Sequence, residues 1–248
     1  MLSIPINKAF SVQSSVLGNK EILNSANFKD LKANVLWTDN PSLVTKVTIA
    51  NPSPASLAAI TNTNIDVKIT ANQSGNAVIT LHNGSVTNPV YWSWHVWVTN
   101  SEITTVPYVT DVAVAEASNY LNYVKPGNVL STEFMDRNVG ARDEFPTISG
   151  TPNATNLAKI RQSGGLHYQW GRKDPIPSFV NIGQASYSIY LGKVASDGTV
   201  SYPTTIDGST YNTSYVVPSN TYNTSSNILA TDKISAKISK ILTYSVNN

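Results

Sequence analysis

The sequence predicts a mainly β chain with some helix, built from two domains, of which the first, residues 1–103, is an Ig-like β-sandwich. The chain has 248 residues, whereas a single domain commonly has roughly 100 to 150. Charged residues make up 13% of the chain, about half of the usual share of roughly 25%. Strand patterns fill the first hundred residues, and the pattern changes after residue 104.

Apolar residues occupy every second position in two early segments, 65–69 and 77–81. Such alternation is typical of strands with one buried face. The run Asn-Gln-Ser-Gly-Asn at 72–76 separates the two segments. Two alternating segments around a loop with glycine predict a β-hairpin. Segments 34–37 and 44–49 are shorter predicted strands.

The strongest strand pattern is 90–98, which contains three of the five tryptophans. Alternation places Trp92 and Trp94 on one apolar face, which we expect to face a core, and Trp97 on the other face. That second face is also aromatic and could be covered. For all three tryptophans we favour burial over a carbohydrate-stacking platform, because large apolar side chains are usually buried. We interpret His95 as a hydrogen-bonded structural residue.

The second half of the chain mixes several patterns. Segment 112–123 fits either a strand or a helix, and segments 153–160 and 232–242 predict short helices. Segment 185–217 predicts several strands, and the Asp-Gly pair at 197–198 predicts a turn between them.

Segment 209–227 consists largely of Ser, Thr, Asn and Tyr. Binding loops of antibodies use the same residue types for adaptable contacts. We therefore name Tyr211, Tyr215 and Tyr222 as candidate ligand contacts. The alternative is a surface loop that tolerates change and has no binding role.

Charge and cysteine content argue against several functions. The chain has 17 basic and 15 acidic residues, and its longest basic run is the pair at 172–173, so it lacks the clustered charge of a nucleic-acid-binding protein. The absence of cysteine excludes disulfides and thiolate metal sites. The three histidines have no metal-ligand spacing, so we predict neither metal nor cofactor. No apolar stretch of about 18 residues is present, so no transmembrane segment is predicted.

Three motifs occur in the order 91–99, 134–141 and 165–175: Tyr-Trp-Ser-Trp-His-Val-Trp-Val-Thr, Phe-Met-Asp-Arg-Asn-Val-Gly-Ala and Gly-Leu-His-Tyr-Gln-Trp-Gly-Arg-Lys-Asp-Pro. They resemble those of fimbrillin-like surface proteins of Bacteroidetes and of related major-paralogous-domain lipoproteins. The resemblance implies that residues 104–248 form an α+β domain resembling C-type lectins and formylglycine-generating enzymes. Family members continue through a Pro-rich, Cys-containing stretch, so we expect this second domain to be incomplete at its C-terminal end.

The resemblance also implies an extracellular or outer-membrane surface location and a role at pilus tips, in adhesion or in assembly. It implies no catalytic residues. Within the motifs we predict an ion pair between Arg137 and Asp174, or between Asp136 and Arg172, that fixes two loops. The motif residues with a predicted structural role include Asp136, Arg137 and Asn138, and those named as ligand contacts are Trp170, Arg172 and Asp174.

These observations together predict a surface adhesin that is not an enzyme and that recognises a glycan or protein. Three alternatives remain open: a structural fimbrial subunit joined to other pilus subunits by strand pairing, a phage receptor-binding module, and a glycan hydrolase. A hydrolase would need two carboxylates about 5 to 9 Å apart, and Asp136, Glu144 and Asp174 are the residues that could supply them.

Overall fold

A computed structural model shows a mainly β protein with two large antiparallel sheets. It describes residues 1–12, 30–60, 62–109, 131–144, 155, 159, 162–166, 168, 174–175 and 188–207. The first sheet has three strands in the order β1 (Leu2–Pro5), β4 (Asn64–Ile69) and β3 (Val44–Ile49). Two short helices, α1 (Asn7–Ser11) and α2 (Leu57–Ile60), accompany it.

The second sheet has five strands and includes residues from both halves of the chain. Its order is β10 (Val200–Asp207), β9 (Ser188–Val194), β2 (Leu31–Thr38), β5 (Gly75–Asn83) and β6 (Trp92–Val98). A separate antiparallel pair consists of β7 (Thr105–Val109) and β8 (Ser131–Met135).

The two large sheets bury one common hydrophobic core. Ile65 and Val67 of β4 lie in the same buried cluster as Val35 of β2, Ile79 of β5 and Trp92 of β6. All five are alternating strand residues, so the two-residue period of the sequence is what directs them to one side. Removal of these side chains from water is the main force that joins the sheets.

A bulge in β2 creates a second, smaller core. Val35 pairs with Ile79 and Trp37 pairs with Val78, so Leu36 is an extra residue between the two pairs. Because one added residue reverses the alternation, Trp37 packs in a different cluster from Val35. The buried members of this second cluster are Trp37, Val78, Leu166, Ile189 and Ile206.

The predicted hairpin of segments 65–69 and 77–81 is wrong, although both segments are strands. They lie in different sheets, β4 in the three-stranded sheet and β5 in the five-stranded one. The turn between them contains Asn72 at φ 58° and Gly75 at φ 148°. The chain passes from one sheet to the other at this turn. Alternation in the sequence predicts which face of a strand is buried, but it does not predict which strand pairs with it.

Residues 188–207, which the sequence places in a second domain, lie in the same sheet as 31–98. Thr38 of β2 pairs with Tyr190 of β9. A Cβ on Gly192 would lie 2.6 Å from Val35 Cβ, so the absence of a side chain allows the close approach of the two strands. A boundary at residue 103 therefore does not separate the described strands into two units.

Some sequence predictions lie outside the described residues. These are the segments 112–123 and 232–242, and the predicted helix at 153–160 apart from positions 155 and 159. Within the part of the chain that the structure describes, no helix combines the length and apolar character needed to cross a membrane.

Candidate functional site

The structure brings the three motif segments together on β6. Ser93 Oγ donates to Asp174 Oδ1 at 2.6 Å, and Trp97 Nε1 donates to the carbonyl of Ala141 at 2.8 Å. Ser93, Asp174 and Ala141 are buried. The face of β6 opposite the common core is thus covered by the second and third motifs.

A buried polar network ties the second motif to the ends of the sheet strands. Asp39 lies just after β2 and accepts bonds from both the backbone N–H of Asn76 (2.7 Å) and its Nδ2 (2.8 Å). The same Nδ2 donates to the carbonyl of Gly140 at 2.8 Å. Arg142 Nη2 binds Asp39 Oδ1 at 2.9 Å and the Asp39 carbonyl at 2.8 Å. This Asp39–Asn76–Arg142 network joins the end of β2 and the start of β5 to residues 140–142.

His95 extends the network to the third motif. Asn76 Oδ1 can only accept, because the amide nitrogen of that side chain makes the bonds to Asp39 and Gly140. The Nε2 of His95, 2.9 Å away, therefore carries the proton and donates. The other ring nitrogen, Nδ1, lies at a long 3.4 Å from the Tyr168 hydroxyl. These bonds are those of a hydrogen-bonded structural histidine.

Asp136 and Arg137 pair with each other. Arg137 Nε lies 2.6 Å from Asp136 Oδ1, and the two side chains are only 1% and 6% exposed. Thr104 donates to Asp136 from both its hydroxyl and its backbone. The hydrogen bonds from Arg137 hold the pKa of Asp136 well below its usual range, so this carboxyl stays ionised and is a poor proton donor.

The predicted Arg137–Asp174 pair is not among the contacts of the described residues. Arg137 also donates to the Glu102 carbonyl at 2.9 Å, and Asp174 accepts from Ser93. Arg137 pairs instead with Asp136, because an adjacent carboxylate is always within reach whereas a remote one must be brought there by the fold. Arg172, the other predicted partner, lies outside the described residues.

Of the remaining predicted site residues, some are described by the structure and the others lie outside the described residues. Trp92 is buried in the common core and Trp94 packs against that core. Asn138 accepts a bond on its carbonyl from Ala141 N, and a Cβ on Gly165 would lie 2.8 Å from Asn138 Cβ, so the second and third motifs approach closely there. The predicted ligand contacts outside the described residues are Tyr211, Tyr215, Tyr222, Trp170 and Arg172.

Asp39, Asn76 and Arg142 are the residues that sequence reasoning missed. Asp39 and Asn76 occur in turn-rich stretches, where Asp and Asn are common for local reasons. The sequence offers one indication of their role, which is their position. Asp39 and Asn76 each lie at the end or the start of a strongly apolar strand, where a polar side chain is either exposed to water or paired.

His82 is a second buried histidine, away from this network. Its Nδ1 lies 2.8 Å from the carbonyl of Asn88 and its Nε2 lies 2.9 Å from Thr80 Oγ1. Burial lowers the pKa of His82, although bonds to the 88–89 backbone oppose this effect. Among the described residues, no group of three or more His, Asp or Glu side chains could hold a metal ion.

Two open grooves lie on the described surface. One, of ≈ 430 Å³, lies between the edges of the two sheets and is lined by Leu2, Ile4, Ile69 and residues 94–98. We call it the β1–β6 groove. The other, of ≈ 500 Å³, lies beside the start of β2, the end of β3 and the β9–β10 turn.

Comparisons of the chain with models of known protein families, with curated proteins and with solved structures found no match.

Proposed function

We propose that this chain is a cell-surface binding module of the adhesin type, located at the extracellular or outer-membrane surface, that recognises a glycan or a protein. In this proposal the two large sheets form an Ig-like β-sandwich that includes residues 188–207. The rest of 104–248 forms the C-type-lectin-like part that the motif resemblance implies. The sandwich is then a rigid base on which the loops of the second part are displayed.

The observation that carries this proposal is the use of the motif side chains as ties. Ser93 with Asp174, Trp97 with Ala141, and Asn76 with Gly140 each join a motif segment to the sheet. Side chains held in this way supply a fixed framework, and a framework is what a loop-based binding site needs.

The surroundings of Asp136 and Asp174 weigh against a glycan hydrolase. A general acid needs a raised pKa, whereas Arg137 lowers the pKa of Asp136. Asp174 is 1% exposed and binds Ser93. Chromogenic glycosides test this alternative: turnover that is lost in both Asp136→Asn and Asp174→Asn would establish a hydrolase.

Binding of the purified chain to a glycan array and to cell surfaces tests the adhesin proposal. We expect saturable binding that falls at least several-fold when Tyr211, Tyr215 and Tyr222 are all changed to Ala. Lys68→Ala with Thr205→Ala, two exposed strand positions, is the matched control and should bind as the unchanged chain does. The absence of binding to any glycan, protein or cell would refute the proposal. A phage receptor-binding module would give a similar profile and would differ by association with phage particles.

A second candidate function, a structural subunit joined by strand pairing, has its own supporting observation. The two sheets are joined on one side, where Val47 N of β3 donates to Gly198 O at 2.8 Å. On the other side the described strands β1 and β6 flank the β1–β6 groove. An apolar groove beside strand edges is the kind of surface on which a further strand is accepted. Amide exchange at 92–98 that is fast in the isolated chain and slow in its assembled form would support this candidate, and equal exchange in both forms would count against it.

A further inference from the structure

The connection between β5 and β6, residues 84–91, is a loop that is bonded to a buried histidine. Positions 86–89 of the loop are exposed, whereas His82, near the end of β5, is only 3% exposed. His82 Nδ1 lies 2.8 Å from the carbonyl of Asn88 in the loop, and its Nε2 lies 2.9 Å from Thr80 Oγ1 in the strand. The imidazole ring therefore joins the loop to the sheet.

The closed loop fits the neutral form of this ring. A carbonyl oxygen can only accept, so Nδ1 of His82 carries the proton and donates to Asn88. Nε2 of the neutral ring is then the acceptor, and the Thr80 hydroxyl donates to it. A second ring proton would lie between Nε2 and this hydroxyl. The hydroxyl would then have to turn to the Asn34 carbonyl, at the longer distance of 3.4 Å.

The charged groups beside His82 on β2 and in the loop do not favour a second proton. The residue opposite it on β2 is Lys32, a cation whose Nζ lies 2.7 Å from Asp30 Oδ1. Positions 83–90 include no titratable side chain. Burial raises the pKa of Tyr91, which follows them, so its hydroxyl stays neutral. The one carboxylate in this group is thus already paired with a lysine.

The segment that covers β6 adds one further carboxylate. Asp174 accepts from Ser93 at 2.6 Å. Burial is the largest influence on the pKa of His82 and lowers it, and the opposing effect comes from the backbone at Asn88 and Pro89. Removal of the ring from water therefore outweighs its hydrogen bonds, and a charged ring is less stable with the loop closed than in water.

We propose that His82 is a pH-sensitive latch, which holds loop 84–91 closed at neutral pH through its bond to Asn88 and releases the loop in mild acid. Protonation favours the state in which the ring is hydrated, and an exposed loop opens at a lower free-energy cost than the sheet beneath it. Gly84, Ser85 and Val86 of this loop line one side of the ≈ 500 Å³ groove. Release of the latch changes the shape of that groove while both sheets stay folded.

Amide exchange followed by NMR at pH 7.5 and at pH 5.5 tests the latch. Two loop amides report on opening: Gly84 N donates to Asp30 O at 2.7 Å, and Asn88 N donates to Ser85 O at 3.0 Å. A hydrated histidine titrates near pH 6.5, within this interval. We therefore expect the protection of both amides, corrected for intrinsic exchange, to fall several-fold at pH 5.5, with a limit of about tenfold.

The opposite side of the same groove supplies an internal control. Gly198 N donates to Ala195 O at 2.9 Å in the β9–β10 turn. Hydrogen bonds from Thr199 lower the pKa of Asp197 in this turn, so its carboxylate stays ionised at both pH values. The protection of Gly198 should change by less than twofold. A loss there as large as that in the loop would show that acid loosens the whole sheet, and it would overturn the proposal.

His82→Gln is the matched variant, because a glutamine amide can both donate and accept but takes up no proton in this pH range. We expect Gly84 and Asn88 to have the same protection at pH 5.5 and pH 7.5 in this variant. The latch is refuted if the variant loses protection in acid as the unchanged chain does. It is also refuted, without any variant, if the two loop amides of the unchanged chain keep their protection at pH 5.5.

Discussion

Asn76 shows how one side chain can hold three separate parts of this molecule. Its amide binds Asp39, the Gly140 carbonyl and His95, and the residue is 1% exposed. Asn76→Ala would leave these buried partners without their bonds, so we expect the free energy of unfolding to fall by about 2 kcal/mol or more. Urea unfolding measures this change. Asn62→Ala, at an exposed position, should alter stability by less than about 0.5 kcal/mol, and equal effects of the two changes would refute the role given to Asn76.

His82 should make stability depend on pH near neutrality. Its pKa in the folded chain is lowered by burial, whereas in the unfolded chain it is near the ordinary value of about 6.5. Between these two values the unfolded chain binds more protons, so stability rises with pH in this interval and falls as pH drops from about 7. We expect a lower urea midpoint at pH 5.5 than at pH 7.5, and a smaller difference in His82→Gln. Because His95 and His167 remain in both proteins, equal pH dependence would exclude His82 as the cause.

Two ion pairs at the element scale differ in burial and should differ in strength. Arg142, the residue that follows the second motif, pairs with Asp39, whose side chain is 0% exposed. Lys32 binds Asp30 at the surface, with side chains 45% and 50% exposed. Breaking a buried pair leaves a buried charge without its partner and lowers the free energy of unfolding by about 3 kcal/mol. An exposed pair contributes less than about 1 kcal/mol to the same quantity. We expect Arg142→Met to lower the urea midpoint strongly and Lys32→Met to leave it nearly unchanged.

The position and rate of proteolytic cleavage provide a second measurement for the same two variants. If Arg142 holds the second motif on the sheet, Arg142→Met should speed cleavage within 134–144 before global unfolding, and Lys32→Met should not. Loss of stability without faster local cleavage would mean that Arg142 supports the sheet and does not fix the motif.

The strands could be predicted from the sequence, but their partners could not. Alternation at 65–69, 77–81 and 90–98 placed these strands correctly, because the two-residue period is a local property of the chain. The shorter predicted strands at 34–37 and 44–49 are also strands. The bulge at Leu36 and the pairing of 31–38 with 188–194 depend on contacts between distant residues. Only three-dimensional proximity selects among strands that share the same apolar pattern.

The site was predictable to a similar degree. The three motifs contain residues that meet on β6. The ties that bring them together use Asp39, Asn76 and Arg142, two of which stand in turn-like stretches of sequence. A polar residue in a turn has the same local appearance whether it faces water or binds a buried arginine, so its role emerges only with the fold.

At the scale of the whole molecule, the first hundred residues depend on strands that follow almost a hundred residues later. Trp37 and Val78 share a buried cluster with Leu166, Ile189 and Ile206. Without the later residues, Trp37 would be exposed on one face of β2, and the edge of β2 would lose β9. Asp39 would also lose Arg142 and keep a buried charge without its cation.

We therefore expect residues 1–103 expressed alone to lack a cooperative urea transition, and residues 1–207 to retain one. The reason is that cooperative unfolding needs a complete core, and the shorter fragment keeps the common core but exposes the second cluster. Tryptophan fluorescence during urea titration follows Trp37 together with the three tryptophans of β6. If fragment 1–103 unfolds cooperatively at the urea midpoint of the whole chain, the sheet of residues 31–98 is an independent domain, and the pairing of β2 with β9 adds nothing to its stability.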